Sequence, residues 1–494
     1  MRDLKDYSIS CSLDENINLM KKIFKNDGTF KIKKVQNQFN PDISCCLFFI
    51  DGMIDENILN EYIIKPIIVN EISSDLDSVN ILKNQVITSA YCEETEDISE
   101  LVNTILAGNT ALFLEGQNKS LIIRSQGWET RTIQEPTVEK SMRGPREGFN
   151  ECLIINLSMI RRKIRSTRLK FRFMSIGEIT STDICITYIE GLAEESVLNS
   201  LIDQLNAIKI DGVLDVKYIQ EYIDKNPFSV FETTGSTEKP DVVAAKLLEG
   251  RIALLIDGSP VAMTLPHLFI ELFQSADDYN LNYYFSSINR LLRILGFLST
   301  ISIPPIYLAL VTQHQEFIPT SLMMSIYASR IDTPLPTILE LIGLLIVFEE
   351  LREAGARMPS FVGQALSIVG ALVLGSAAVE ARFVSAPIII VIGMSGIAGL
   401  VTPNLNSASN VIKLFLICLS SVLGLYGYMI GMTFVLIHLM KLDSFGVPYM
   451  SNLTTFNPQD LKDTAIRSPR WYMRRRPRYM ADKSIRGNGG KNHE

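Results

Sequence analysis

Between Leu291 and Met440 the chain is written in long apolar runs: LLRILGFLSTISIPPIYLALV, TILELIGLLIVFEELREAG, VGQALSIVGALVLGSAAVE, FVSAPIIIVIGMSGIAGLV and SASNVIKLFLICLSSVLGLYGYMIGMTFVLIHLM. Runs of about 18 or more apolar residues with few charges read as helices that cross a bilayer. That reading sets the class: an α/β water-soluble half first, then an all-α polytopic membrane block, then a basic tail. From Lys441 to Glu494 the tail holds eleven Lys and Arg against five Asp and Glu, although the whole chain carries −7. A basic stretch beside a membrane helix points to anionic lipid headgroups rather than to nucleic acid.

The soluble half carries an internal repeat. Cys45 to Gly52 reads CCLFFIDG and is followed by MIDENILNEYIIKPI; Ile184 to Gly191 reads ICITYIEG and is followed by LAEESVLNSLIDQLNAI. Each is a short apolar β run, an acidic-Gly turn, and then helical spacing of apolar residues. Downstream, LVNTILAGNTALFLEG ends at Gly116 and VAAKLLEGRIALLIDG ends at Gly258. In both, a helix stops at a glycine (Gly108, Gly250), a strand follows, and a second acidic-Gly turn opens a hairpin. Asp51 precedes Glu115 by 64 residues and Glu190 precedes Asp257 by 67. Two α/β subdomains are therefore expected. Between them Asn150 to Arg168 can form a helix with Leu153, Leu157, Ile160 and Ile164 on one face and Arg161, Arg162, Lys163, Arg165 and Arg168 on the other. That basic face is either a solvated connector or a docking surface for acidic groups or headgroups.

The expected division is 1–40 lead-in, 41–134 first subdomain, 135–170 linker helix, 171–285 second subdomain, 286–440 transmembrane domain and 441–494 basic tail. Seven cysteines without CxxC spacing read as buried thiols in a reducing compartment. The start, MRDLKDYSISCSLDEN, has no apolar core of a cleavable signal peptide.

Arg290 and Arg293 flank the first span, and the tail is basic, so both ends are expected on the cytoplasmic side and the crossings should be even. Five apolar segments do not satisfy that parity. Either Ser407 to Met440 is a helical hairpin broken near Gly424 to Gly427, or Leu335 to Phe348, which carries Glu340, lies in the interface or re-enters; four and six crossings both remain. Phe317 to Ile331 is too short and polar to span, and is expected to lie on or re-enter the far surface. Pro304 and Pro305 are expected to break the first span and free backbone carbonyls that need new partners.

Along the third segment Gln364, Ser367, Ala371, Gly375 and Ala378 share one small or polar face. Such a face either packs against a neighbouring helix or lines a pore when several copies surround an axis. Glu340 lies inside an apolar run and Glu380 ends one; a carboxylate in a membrane is a functional candidate, against which stands a solvated position at the membrane edge. Glu349, Glu350 and Glu353 mix with Arg352 and Arg357 and read as a surface loop.

Nothing in the chain carries catalysis: GxxxxGK[ST], HExxH, GxSxG and paired CxxC are missing, and His267, His314, His438 and His493 are scattered. Neither a cofactor nor a metal is expected, and the chain reads as no enzyme.

The run EPTVEKSMRGPREGFNECLIINLSMIRRKIR, the strand ending in IEG, the hairpin ALLIDGSPVAMTLP, the membrane run PLPTILELIGLLIVFEELREAGARMP, LVTPN and DSFGVPYMS resemble the A subunits of GerA-type spore germinant receptors. The resemblance spans residues 45 to 451. It implies a multi-pass protein of the spore inner membrane that works with a permease-like B subunit and a lipoprotein C subunit. It implies nutrient binding in the B subunit, and a homo-oligomeric channel of A subunits that releases monovalent cations. Arg143, Gly144, Pro145, Arg146, Glu147 and Gly148 are family marks without a catalytic role. Three readings follow: the channel subunit of a nutrient receptor, with an amplifying paralogue as its near variant; an ion-coupled transporter using Glu340 or Glu380; and a sensor whose α/β half binds a small ligand.

Overall fold

Strand-forming runs and acidic-Gly turns fold the soluble half into two sheets of identical topology. The computed structural model describes residues 7–71, 78–89, 91–128, 139, 144–358, 373–451, 463–473 and 476. Two compact units result, one of residues 1–225, 234–267 and 474–494, the other of 226–233 and 268–473.

The first unit holds both sheets. The first begins with helix α1 (Leu13–Ile23), then β1 (Phe30–Gln36) and β2 (Ser44–Ile50). A π-helical stretch, Ile58–Ile64, runs into α2 (Lys65–Val69), and α3 (Ser78–Ile81) into a second, Leu82–Val86. β3 (Cys92–Thr95), α4 (Ile98–Leu106), β4 (Thr110–Leu114) and β5 (Ser120–Ile123) complete it. The second repeats that series: α5 (Leu153–Lys163), β6 (Leu169–Ile176), β7 (Thr182–Ile189), α6 (Glu195–Ala207), α7 (Val216–Ile223), β8 (Gly235–Thr237), α8 (Pro240–Leu248), β9 (Ile252–Ile256) and β10 (Ala262–Leu265). Strand orders are β1-β2-β4-β5-β3 and β6-β7-β9-β10-β8. Every ladder is antiparallel.

Strand β2 is apolar on both sides because both sides are covered. Cys45 and Leu47 join the core with Leu59, Ile63, Ile67 and Leu82; Cys46 and Phe48 join the opposite core with α1 and α4. Period-2 alternation thus sends the two adjacent cysteines to opposite faces, where no disulfide can join them. Both are free, and burial pushes both thiols up to about 12. In the second sheet Cys185 stands where Cys46 does, against α5 and α8. As the repeat predicts, α4 and α8 both end at glycines in left-handed conformation, Gly108 (φ 91°) and Gly250 (φ 98°).

The acidic-Gly turns do more than turn. Glu115 Oε2 accepts from Leu13 N (3.0 Å), and Asp257 Oδ1 accepts from Leu153 N (3.0 Å), so each carboxylate caps the opening helix of its own sheet. Asn16 Oδ1 accepts from Ser10 N, and Asn156 Oδ1 from Asn150 N, both at 2.9 Å. Helix α5 therefore packs into the second sheet's core as α1 packs into the first.

Its polar face does not all meet water. Arg161 is fully buried, a departure from the solvated basic face expected from helical spacing. Its Nη2 donates to Asp27 Oδ2 (2.5 Å), its Nη1 to Ser166 O (3.0 Å), and its guanidinium lies 4.6 Å from the Phe171 ring centre. Burial lowers the affinity of Arg161 for its proton, and the Asp27 carboxylate opposes that. Gly28 N donates to Phe171 O (2.9 Å) beside it. The two sheets are thus joined by a dry ion pair.

The second unit is helical: α9 (Tyr283–Thr312), α10 (Thr320–Arg330), α11 (Thr337–Arg357), α12 (residues 373–380), α13 (Ala386–Leu400) and α14 (Asn406–Lys441). Leu308, Leu341, Leu345, Ile388, Val391, Ile392 and Ile417 form its core.

Candidate functional site

Two segments of the helical unit, Tyr283–Thr312 and Pro403–Lys441, are long and apolar enough to cross a membrane, and α13 is a shorter apolar helix. Outward they carry Leu291, Leu292, Leu295, Ile390, Ile397, Val411, Met429 and Phe434, all exposed. Exposed apolar side chains in such number suit contact with lipid or with a partner.

Helix α9 runs unbroken through Pro304 and Pro305, contrary to the expected break. Pro304 has no N–H to give to Thr300 O, but Ser395 Oγ of α13 donates to that carbonyl at 2.9 Å in a buried contact. The freed carbonyl thereby stitches α13 to α9. Tyr428 Oη donates to Ser302 Oγ (2.9 Å) one half-turn away, tying in α14.

Helix α14 is two helices. Gly424 has φ 60° and ψ −138°, and the chain reverses there. A Cβ on Gly427 would collide with Leu419 O, and one on Gly431 would sit 2.6 Å from Leu416, so residues 427–431 lie against 416–419. Of the two resolutions of parity, the structure contains the hairpin. Its tip rests on the end of α9: Gln313 Nε2 donates to Ser421 O and Val422 O, both 3.0 Å. A side chain at position 424 would need a left-handed backbone and would displace the His314 ring, 2.5 Å from its Cβ.

Glu340 is 1% exposed in the first turn of α11. Its Oε2 accepts from Ser385 N and Ser385 Oγ, each 3.1 Å, and its Oε1 from Thr333 Oγ1 (3.2 Å). Ser385 is the N-cap of α13, so the carboxylate sits on a helix N-terminus, where partial positive charge favours it. It is a packed, hydrogen-bonded acid rather than a solvated one. Glu380 is exposed. The structure does not bring these two carboxylates together through any bond among the described residues.

Of the small face, Gln364, Ser367 and Ala371 lie outside the described residues. Gly375 and Ala378 are half-exposed on α12, and a Cβ on Gly375 would meet only Ile389, at 3.7 Å. Within the family mark Arg143 is likewise outside the described residues. Gly144, Pro145 and Arg146 are exposed, Gly148 is buried, and Glu147 accepts from Lys163 (3.2 Å) and Arg162 (3.4 Å) of α5.

Sequence reasoning missed a polar cluster at the start of α9. Arg290, taken as a membrane-edge charge, is fully buried: its Nε donates to Asp278 Oδ2 (3.0 Å) and its Nη1 to Asp463 Oδ1 (2.7 Å). Arg293 donates to both Asp278 oxygens (2.8 and 3.0 Å). The only sequence signal was SADDYN, two acids a helix-turn or more before two arginines; Asp463 lies 173 residues away.

A family model described as "Bacillus/Clostridium GerA spore germination protein" matches residues 18–479. The chain is similar to Spore germination protein KA of Bacillus subtilis (strain 168), 38% identical over 95% of this chain and 87% of that protein. It is similar to the membrane protein YfkQ of the same strain, 37% identical over 99% of this chain and 95% of that one. Among solved structures it is similar to the N-terminal domain of the A subunit of the Bacillus megaterium spore germinant receptor GerK3. That match has 27% identity and a TM-score of 0.43, over 53% of this chain and 98% of that one.

Proposed function

This chain belongs to the GerA spore germination protein family, and on that premise we propose that it is the membrane subunit of a nutrient receptor whose copies assemble into a cation-release channel. The nutrient would be sensed in a permease-like partner subunit, with a lipoprotein as third component, at the spore inner membrane. The chain itself is read as a channel subunit and not as an enzyme.

The observation that carries the pore is the state of the small face. Gly375 and Ala378 stay half-exposed among the described residues, and Ile389 of α13 approaches Gly375 at no closer than ordinary contact distance. Small residues left half-exposed at these two positions suit a face turned to an axis shared by several copies. Glu340 supports the channel over a coupled transporter, since three hydrogen bonds from Ser385 and Thr333 hold it in a structural role. Six crossings accompany this reading: α9, α11, the apolar run VGQALSIVGALVLGSAAVE of the sequence, α13 and the two arms of α14, with α10 at the far surface. The arms, residues 406–423 and 425–441, would each be about 25 Å long, close to a hydrocarbon core of about 30 Å.

Spores that make and assemble Ala371→Trp or Gly375→Trp chains with their partner subunits should release cations abnormally, either leaking before nutrient or failing to respond to it. Normal nutrient-triggered release from both variants would reject this face as the pore.

A further inference from the structure

Residues 463–473 come after α14 and have no part in the channel just proposed, yet many hydrogen bonds hold them. Arg290 Nη1 donates to Asp463 Oδ1 (2.7 Å) and Thr464 O (3.1 Å), and Tyr279 Oη donates to Asp463 Oδ2 (2.7 Å). Arg467 N donates to Ser287 Oγ (3.1 Å), Arg467 Nη1 donates to Leu281 O (2.7 Å), and its guanidinium lies 5.4 Å from the Tyr279 ring centre. Gln274 Nε2 donates to Asp463 O (2.7 Å). A buried arginine shared between Asp278 and a tail aspartate makes a clamp, because either carboxylate leaving would strand a charge in a dry site.

What the clamp turns outward is aromatic. Trp471 is 63% exposed and Tyr472 58%, while Met473 beside them is buried. Trp471 meets the Tyr283 ring edge-to-face at 6.2 Å, and the ring of Tyr284, 67% exposed, lies tilted against that of Tyr283 with centres 4.0 Å apart. Two turns further along α9 the exposed leucines 291, 292 and 295 begin the apolar exterior. Large rings with one polar atom, placed where an apolar helix surface starts, have the chemistry of the bilayer interface, where tryptophan and tyrosine sit at headgroup depth. In sequence the pair is followed by Arg474, Arg475 and Arg476, a cationic run that anionic headgroups attract.

We propose that residues 463–473 are a membrane-interface anchor, clamped by Arg290 and seating Trp471 and Tyr472 among lipid headgroups beside Tyr284. This rests on the reading that α9 crosses the membrane. The anchor fixes the depth of the first span and makes residues 463–473 a part of the membrane domain rather than an appendage.

The chain has two tryptophans, so Trp128→Phe leaves Trp471 as the sole reporter. The full-length variant in liposomes of phosphatidylcholine and phosphatidylglycerol should emit at short wavelength. It should lose most of that emission to lipids brominated near the headgroup end of the acyl chain, and little to aqueous acrylamide. Water-like emission, quenched by acrylamide and indifferent to bromolipid, would overturn the anchor. Extraction with alkaline carbonate keeps the two ideas apart: a chain that stays in the membrane while Trp471 reports water loses the anchor alone, whereas a chain that is extracted loses the spanning reading and the anchor together. Adding Asp463→Asn should shift the Trp471 emission toward the water value; an unchanged spectrum would show that Arg290 is not the clamp.

Discussion

Arg161 and Asp27 show what a single pair decides. A guanidinium and a carboxylate with no solvent contact stabilise the junction of the sheets only together, because each alone is an uncompensated charge in a dry interior. Asp27→Ala should therefore lower stability by about 3–5 kcal/mol. Asp27→Leu combined with Arg161→Met should recover most of the loss, read as the thermal unfolding midpoint of the detergent-solubilised chain. A double variant no better than the single one would mean that the ion pair contributes through geometry that apolar groups cannot replace. The buried thiols give a pH signature. Cys45 and Cys46, pushed up to about 12, keep their protons when folded at pH values where an unfolded thiol has already lost its own. Their contribution is complete below the ordinary thiol range and falls as pH rises from there toward 12, by about 1.4 kcal/mol per pH unit and thiol. Cys46→Ala should flatten the alkaline decline in unfolding free energy relative to the parent chain; an identical slope would contradict it.

Among the elements, α9 illustrates how a long apolar helix tolerates proline. Ser395 satisfies the carbonyl that Pro304 releases, so the two residues act as one device on neighbouring helices. Ser395→Ala should cost about 1–3 kcal/mol, the penalty of an unmet buried acceptor. The same change should cost less in a Pro304→Ala background, where a restored N–H reaches Thr300 O; equal costs in both backgrounds would separate the residues. The hairpin in α14 has a different origin. Gly424 adopts a left-handed φ of 60° with the His314 ring where a Cβ would be, so Gly424→Ala meets both backbone strain and a clash. That variant should lose heat stability in detergent more than Gly446→Ala, another positive-φ glycine with open space around it. Pattern reading found Gly424 as one of two ways to mend an odd count of segments. It did not find Ser395, since a serine in an apolar helix reads the same whether it back-bonds within its helix or crosses to the next.

At the scale of the molecule, α9 separates the Asp463–Arg467 contacts at its start from the α14 tip at its end by about 40 Å of helix. Single cysteines at Ile466 and at Tyr327 of α10, in a chain whose exposed Cys11, Cys152 and Cys418 are replaced, should therefore react with impermeant reagents from opposite sides of the membrane. Labelling of both from one side would exclude six crossings. The duplication, the acidic-Gly turns, the apolar runs and the resemblance to the GerA family were all legible in the amino-acid string, because each is a local pattern repeated or sustained along the chain. The string by itself thus determined two α/β subdomains ahead of a helical membrane block, and the family. Tertiary structure alone decided that α1 and α5 open their sheets under caps from Glu115 and Asp257. It also decided that Arg161 and Arg290 are buried rather than wet, and that residues 463–467 bond to the start of α9. The reason is common to all three: each depends on a polar group meeting a partner more than a hundred residues away, and neither hydropathy nor periodicity carries the identity of a distant partner.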